Sequence, residues 1–388
     1  MKIFNSLAQK LEEFKPLNDK KVTLYVCGIT PYDTTHLGHA FAYISFDVLV
    51  RYLKFKGFQV IYTQNVTDIN DRDKDLLERA KEQNISWKKL AEFWTKRFLE
   101  DMTTLNWTPP TYYLKASENI LPMIDLINKL LKKGLAYQKG GSVYLNIQKF
   151  PNYGKLSGLN KDQMFKVSEE FEEDLKNPEK INPLDITLWR ATTNNQSPHI
   201  PSFDSPFGPG RPGWHIECSA MAISALGEQI DIHGGGSGLK FPHHEAEIAQ
   251  SEGATGKTPF AQIWMHNGKV YYLGEKMSKS KGNLIMVSDL TKKYSPNAIR
   301  WLLLSNHWSK PWEYDEKDLI QAQKEVNFIE SVIARSKVTK QSLPLIQQFT
   351  KIMDNNLDSP KVLKFLLNMA NQKAKGLKKL YKILGFKF

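Results

Sequence analysis

Val22-Thr23-Leu24-Tyr25-Val26-Cys27, then His36-Leu37-Gly38-His39, then Phe58–Val66: these three stretches decide the fold of this 388-residue chain. The first and third are runs of apolar and β-branched residues and read as strands. His36–Lys56 between them has helical periodicity and reads as an amphipathic helix. Strand, helix and strand in that order form a βαβ unit, and such units build parallel sheets.

Outward from this unit the alternation continues. Helices are expected over Asp71–Gln83 and Ser86–Leu105, the second stopped by Thr108-Pro109-Pro110. Ser117–Lys133 reads as a helix closed by Gly134, and Ala136–Ile147 as a hairpin around Gly140-Gly141. Asn160–Asn182 is charged and weakly patterned, and Ser197–Gly213 is a Pro/Gly/Ser-rich loop. A helix over Trp214–Leu226, a strand over Gln229–Ile232, a glycine turn at 234–236 and a helix over Phe241–Ser251 follow. Strands are expected at Ile263–His266 and Lys269–Leu273. After Lys310 the pattern is wholly helical, with heptad-like spacing in Leu319–Ile333 and Phe349–Leu384. The fold class is therefore α/β: a Rossmann-like parallel-sheet catalytic domain with an insertion, followed by a C-terminal helical bundle. The expected segments are 1–110 and 196–268 for the two halves of the nucleotide-binding domain. The insertion takes 111–195, a lysine-loop region 269–310 and the bundle 311–388.

Composition sets the class. A hydrophobic fraction of 41% with 24% charged residues is that of a soluble globular protein. No run of ~18 apolar residues is present, so no spanning helix is expected. Met1-Lys2-Ile3-Phe4-Asn5 lacks the apolar core of a signal peptide, and a cytoplasmic location is expected. The formal net charge of +12 suits a polyanionic partner such as RNA. The two cysteines, Cys27 and Cys218, admit three readings: a disulfide, buried inert thiols, or part of a metal site.

His36 and His39 fall at the start of a helix, where unpaired N–H groups and the helix dipole favour anions. Lys276-Met277-Ser278-Lys279-Ser280 is a cationic loop between Gly274 and Gly282. Two lysines on a mobile loop can close on a triphosphate and hold the charge that grows on departing pyrophosphate. Gly234-Gly235-Gly236 lets backbone approach a base or ribose closely. His243 and Glu247, four apart after Pro242, share a helix face. Such a pair is either a solvated surface or half of a metal site, and with Cys27 and Cys218 it makes a donor set suited to zinc.

The two signatures His36-Leu37-Gly38-His39 and Lys276–Ser280, in this order, resemble those of the class I aminoacyl-tRNA synthetases. Tyr25–Thr30, Gly210–Met221 and Asp231–Ser237 narrow the resemblance to the cysteinyl-tRNA synthetase family, from Ile3 to about Leu384. The resemblance implies ATP-dependent activation of cysteine, with Mg2+ accompanying ATP. It implies catalytic roles for His36, His39, Lys276 and Lys279, and ATP contacts from Gly38, Gly234, Gly235, Gly236 and Lys279. Thr67, Trp214 and His233 would line the substrate pocket. Cys27, Cys218, His243 and Glu247 would bind one zinc ion, which holds the substrate thiolate. Three positions depart from the family: Gly238 replaces an Asp expected near the ribose, Asn70 replaces an acid beside Asp71, and Ala40-Phe41 replaces a basic residue.

A relative of that family passes cysteine to the amine of a glucosaminyl-inositol. Thr30–Ala40, Gln64–Asp68 and Ser205–Gly210 are similar to it, and no anticodon-binding domain is expected after the bundle. Glu247, His233, Tyr153–Gly158 and the basic charge favour the synthetase. The expected acceptor is therefore tRNA(Cys), with the aminosugar as the alternative. A weakened paralogue that binds cysteine and ATP without turnover is the second alternative.

Overall fold

Burial explains the architecture. In strand Lys21–Ile29 every residue from Val22 to Cys27 is buried, the pattern of a strand covered on both faces. A computed structural model describes residues 1–33, 35–72, 76–193, 199–277, 282–335 and 343–388. In it this strand is the centre of a five-stranded parallel sheet ordered Ala261–Asn267, Ile230–Gly236, Lys21–Ile29, Gln59–Val66, Tyr112–Lys115. Within this sheet Lys21–Ile29, Gln59–Val66 and Tyr112–Lys115 follow one another to one side, and Ile230–Gly236 and Ala261–Asn267 fill the other side. The reversal lies between Lys21–Ile29 and Ile230–Gly236, where open α/β sheets bind ligands.

The expected amphipathic segment His36–Lys56 forms the helix Leu37–Phe55, but without a broad solvent face. Buried residues occur on all its sides, because the sheet covers one flank and the helices Pro296–Leu304 and Leu377–Ile383 cover the other. Asp71–Gln83 contains the helix Leu76–Glu82, with positions 73–75 outside the described residues. Trp87–Thr104, Ile120–Lys132 and Trp214–Leu226 match the expected helices closely. The glycine turn at 234–236 is a correction: these residues continue the strand Ile230–Gly236.

A four-stranded antiparallel sheet, Ala136–Lys139, Ser142–Leu145, Ile186–Ala191 and Gly210–Pro212, spans the expected insertion and takes its last strand from beyond the expected boundary at 195. Gly140 and Gly141 turn its hairpin with φ of 58° and 81°, which only glycine adopts readily. Within the charged stretch lies an unexpected helix, Lys161–Glu170, started by a capping box between Asn160 and Gln163.

After Lys310 the chain is not wholly helical. Trp312–Glu313 pairs with Val270–Tyr272 beside the lysine loop. The bundle itself is Glu316–Arg335, Leu343–Met353, Ser359–Asn371 and Leu377–Ile383, so Phe349–Leu384 is three helices rather than one heptad run. No helix among the described residues is long and apolar enough to cross a membrane.

One buried ion network holds bundle to sheet. Asp47, on the Leu37–Phe55 helix, meets Arg300, and both side chains are almost wholly buried. Arg300 also donates to the carbonyls of Leu384 (2.7 Å) and Leu105 (2.9 Å), and Arg51 donates to Asp47 at 2.9 Å. Burial alone raises the Asp47 carboxyl, but Arg300 and Arg51 outweigh it and hold it below the usual carboxylate range. Removing one partner strands a buried charge. Arg300→Met is therefore expected to lower the unfolding free energy by about 3–5 kcal/mol in chemical denaturation. Adding Asp47→Asn to it should cost less than the sum of the single changes.

Candidate active site and metal centre

Pairing between the two middle strands ends at Val26 and Gly234. Beyond that point the strand ends part, and Cys27, Gly28, Gly235 and Gly236 line a cleft of about 470 Å³. Gly28 is required there: a Cβ would sit 1.6 Å from the Asn65 carbonyl oxygen, while the Asn65 side chain accepts the Gly28 N–H at 2.7 Å.

One wall is the helix start. His36 is its N-cap, and its Nδ1 accepts the N–H groups of Gly38 (3.0 Å) and His39 (3.3 Å). An accepting Nδ1 leaves the hydrogen on Nε2 as the group available to a ligand. The rings of His36 and His39 stack at 3.7 Å. Burial, then His39 and Lys276, lower the His36 pKa well below its ordinary value; burial takes His39 to about 4. Both rings are neutral at pH 7, so they serve an anion as N–H donors rather than as charges. Charge comes from the facing wall, where Lys276 and Lys269 line the cleft. Burial and the Lys269 charge lower the Lys276 pKa. Lys279 lies outside the described residues. The two motifs are tied together by backbone: Leu37 N–H donates to Ile285 O (2.8 Å) and Val287 N–H to Thr35 O (2.9 Å).

At the cleft's inner end Cys27, Cys218, His243 and Glu247 meet, all buried, with one ligand atom of each within 4.8 Å of the others. The cysteines are free thiols, which removes the disulfide reading. Cys27 Sγ is 3.4 Å and His243 Nε2 3.1 Å from Glu247 Oε1. Glu247 Oε2 is held by His233 Nε2 at 2.8 Å. A second set, Cys27, His233 and His244, shares the same sulfur. Burial, then Cys218 and Glu247, raise the Cys27 thiol pKa. A divalent cation reverses that penalty by pairing with thiolate and carboxylate together. Two thiols, an imidazole and a carboxylate converging among buried side chains thus fit a metal ion.

Trp214 lines the cleft, its ring stacked on His243 at 4.5 Å, and its backbone N–H donates to Asp71 Oδ1 at 2.9 Å. The other expected residues sit deeper. His233 stacks on Trp264 at 4.3 Å behind Glu247, and Thr67 accepts from Asn65 at 3.1 Å. Gly234 packs on Phe46, where a Cβ would come within 2.3 Å, while Gly235 and Gly236 face the cleft. Gly238 also lines it, and a Cβ there meets only Phe171, at 4.0 Å, so an Asp has room. Sequence reasoning missed Arg72, Phe171, Glu173, His215 and His244. The adjacency of His215 to Trp214 and of His244 to His243 was the available signal; the others fall in no motif.

The model of the tRNA synthetase class I (C) catalytic domain matches residues 13–324. The cysteine–tRNA ligase of Dehalococcoides mccartyi is 44% identical over 96% of this chain and 80% of its own length. The chain belongs to the cysteinyl-tRNA synthetase family. The cysteine–tRNA ligase of Thermodesulfovibrio yellowstonii is 43% identical over 96% of the chain and 78% of that protein. Solved structures share the fold at low identity. Mycobacterium tuberculosis methionyl-tRNA synthetase with methionyl-adenylate has a TM-score of 0.62 at 14% identity, covering 94% of this chain and 82% of that one. Agrobacterium radiobacter LeuRS in its ternary complex with tRNA and LeuAMS has a TM-score of 0.67 at 10% identity, covering 96% and 84%.

The cluster predicts a stable metal complex. Elemental analysis of purified protein is expected to give about one metal ion per chain, and Cys218→Ala should lose most of it. Full retention in that variant would contradict the assignment.

Proposed function

We propose that this chain is a cysteine–tRNA ligase: it activates cysteine with ATP and passes it to tRNA(Cys). The observation that carries the reading is the Cys27, Cys218, His243, Glu247 cluster at the inner end of the cleft that His36 and Lys276 line.

Zinc suits this donor set, and when bound it supplies a soft Lewis acid for the substrate's sulfur. Trp214 stacks on His243 and lines the pocket beside it. The cysteine carboxylate then lies toward the His36 helix, where its oxygen attacks the α-phosphorus of ATP and pyrophosphate leaves. The Nε2–H of His36 donates to a phosphate oxygen, and the positive end of the helix dipole favours the charge there; the amides of Leu37, Gly38 and His39 are already engaged by Ile285 O and His36 Nδ1. Lys276 and Lys279 balance charge on the departing pyrophosphate, with Mg2+ accompanying ATP. Gly235 and Gly236 leave space for the nucleoside. In the second step a tRNA hydroxyl attacks the cysteinyl carbonyl and AMP leaves.

The relatives at 43–44% identity are cysteine–tRNA ligases, which favours tRNA over the aminosugar amine as acceptor. A role in charging tRNA places the enzyme in the cytoplasm. A weakened paralogue is separated by one assay. Cysteine-dependent ATP–pyrophosphate exchange is expected, and Lys276→Ala or Lys279→Ala should slow it by about 100-fold while cysteine binding survives. No exchange in the unaltered protein, restored by Gly238→Asp, would favour the weakened paralogue. With labelled cysteine, label should reach tRNA and fall steeply with salt, as expected for phosphate contacts by a basic surface. Label in an aminosugar amide, with none on tRNA at low salt, would overturn the acceptor.

A further inference from the structure

We propose that Glu173, contributed by the insertion, is a positioning residue for His243 and acts through His215. The proposal rests on the metal-centre reading above and adds to it what fixes the orientation of the imidazole ligand.

Glu173 follows the helix Lys161–Glu170, and its side chain is 11% exposed. Its Oε1 accepts from Arg72 at 2.8 Å and lies 3.3 Å from His215 Nε2. His215 Nδ1 is 2.8 Å from His243 Nδ1. His243 Nε2 is the atom directed at the cluster, 3.1 Å from Glu247 Oε1.

Hydrogen counting runs through this chain in one direction. An ionised carboxylate only accepts, so His215 carries its hydrogen on Nε2. In the neutral ring the His215 Nδ1 is then an acceptor, and the hydrogen between the two rings belongs to His243 Nδ1. His243 Nε2 is left with a free lone pair on the side of Cys27, Cys218 and Glu247. Without the carboxylate, His215 is free to carry its hydrogen on Nδ1 and donate to His243. His243 Nε2 would then hold the hydrogen and lose its capacity to ligate. Carboxylates behind ligating histidines act in this way at metal sites generally. The same carboxylate anchors Arg72, whose guanidinium carbon lies 4.2 Å over the Trp214 ring on the cleft wall. A side chain of the insertion therefore sets both the ligand and the aromatic beside it.

The competing role is a plain ion pair with Arg72 that pins the insertion, and two substitutions separate the roles. Glu173→Gln keeps an acceptor for His215 but loses the ion pair; Glu173→Ala loses both. Chelator competition is expected to show zinc binding weakened by about 10–100-fold in Glu173→Ala and by about threefold or less in Glu173→Gln. The visible absorption of the cobalt(II)-loaded protein should shift in the alanine variant and not in the glutamine variant. Unchanged zinc affinity in a folded Glu173→Ala, or equal damage in both variants, overturns the proposal. Protein that takes up neither zinc nor cobalt overturns the metal-centre reading and this proposal with it. Should Glu173→Ala fail to fold, nitrogen NMR of the zinc-loaded unaltered protein decides. His215 protonated at Nε2 is expected, and His215 protonated at Nδ1 overturns the proposal.

Discussion

Four buried side chains of types that can ligate a metal meet where the strands Lys21–Ile29 and Ile230–Gly236 part. Cys27 comes from a strand end, Cys218 from the helix Trp214–Leu226, and His243 with Glu247 from the helix His243–Thr255. Burying two thiols and a carboxylate is unfavourable unless a cation or hydrogen bonds compensate. Much of the surrounding construction follows from that constraint. His233 holds the far oxygen of Glu247, His244 sits 3.3 Å from the Cys27 sulfur, and Trp214 covers His243. The parallel sheet supplies the geometry, since strand ends at a topological switch point open a crevice without disturbing the ladder behind it.

The same arrangement divides the cleft by chemistry. Its inner end is buried and rich in soft ligands, suited to a thiol. Its outer part carries a helix N-terminus, two neutral imidazoles and the lysines at 269 and 276, suited to phosphates. Backbone hydrogen bonds between Thr35–Leu37 and Ile285–Val287 link the histidine wall to the segment after the lysine loop.

The strand around Tyr25, the helix from Trp214 and the grouping of Cys27, Cys218, His243 and Glu247 were legible in the sequence, because continuous burial and motif spacing leave plain patterns. The glycines at 234–236 were not. A glycine run reads as a turn, but here glycine serves packing within a strand, with Phe46 against Gly234 and His244 against Gly235. The helix Lys161–Glu170 was hidden because only Met164 and Ser168 are buried on it, leaving its capping box as the main local signal. The buried nature of the Leu37–Phe55 helix was also hidden, since what covers its outer side is sequence some 250 residues later, Arg300 above all. The Glu173–His215 contact joins residues 42 apart with no motif spacing, so nothing short of the fold reveals it.

The central claim is that this cluster, rather than pocket shape, selects the amino acid. Its most direct test compares cysteine with serine in pyrophosphate exchange on zinc-loaded protein, and cysteine binding on protein stripped of metal. An apolar pocket separates such close analogues by no more than about 200-fold. The account predicts a preference for cysteine above ~10⁴ in the loaded protein, the scale reached when a site is built around one specific group. It also predicts loss of cysteine binding in the stripped protein. Serine used within about 200-fold of cysteine, or stripped protein that binds cysteine as tightly as loaded protein, would contradict it.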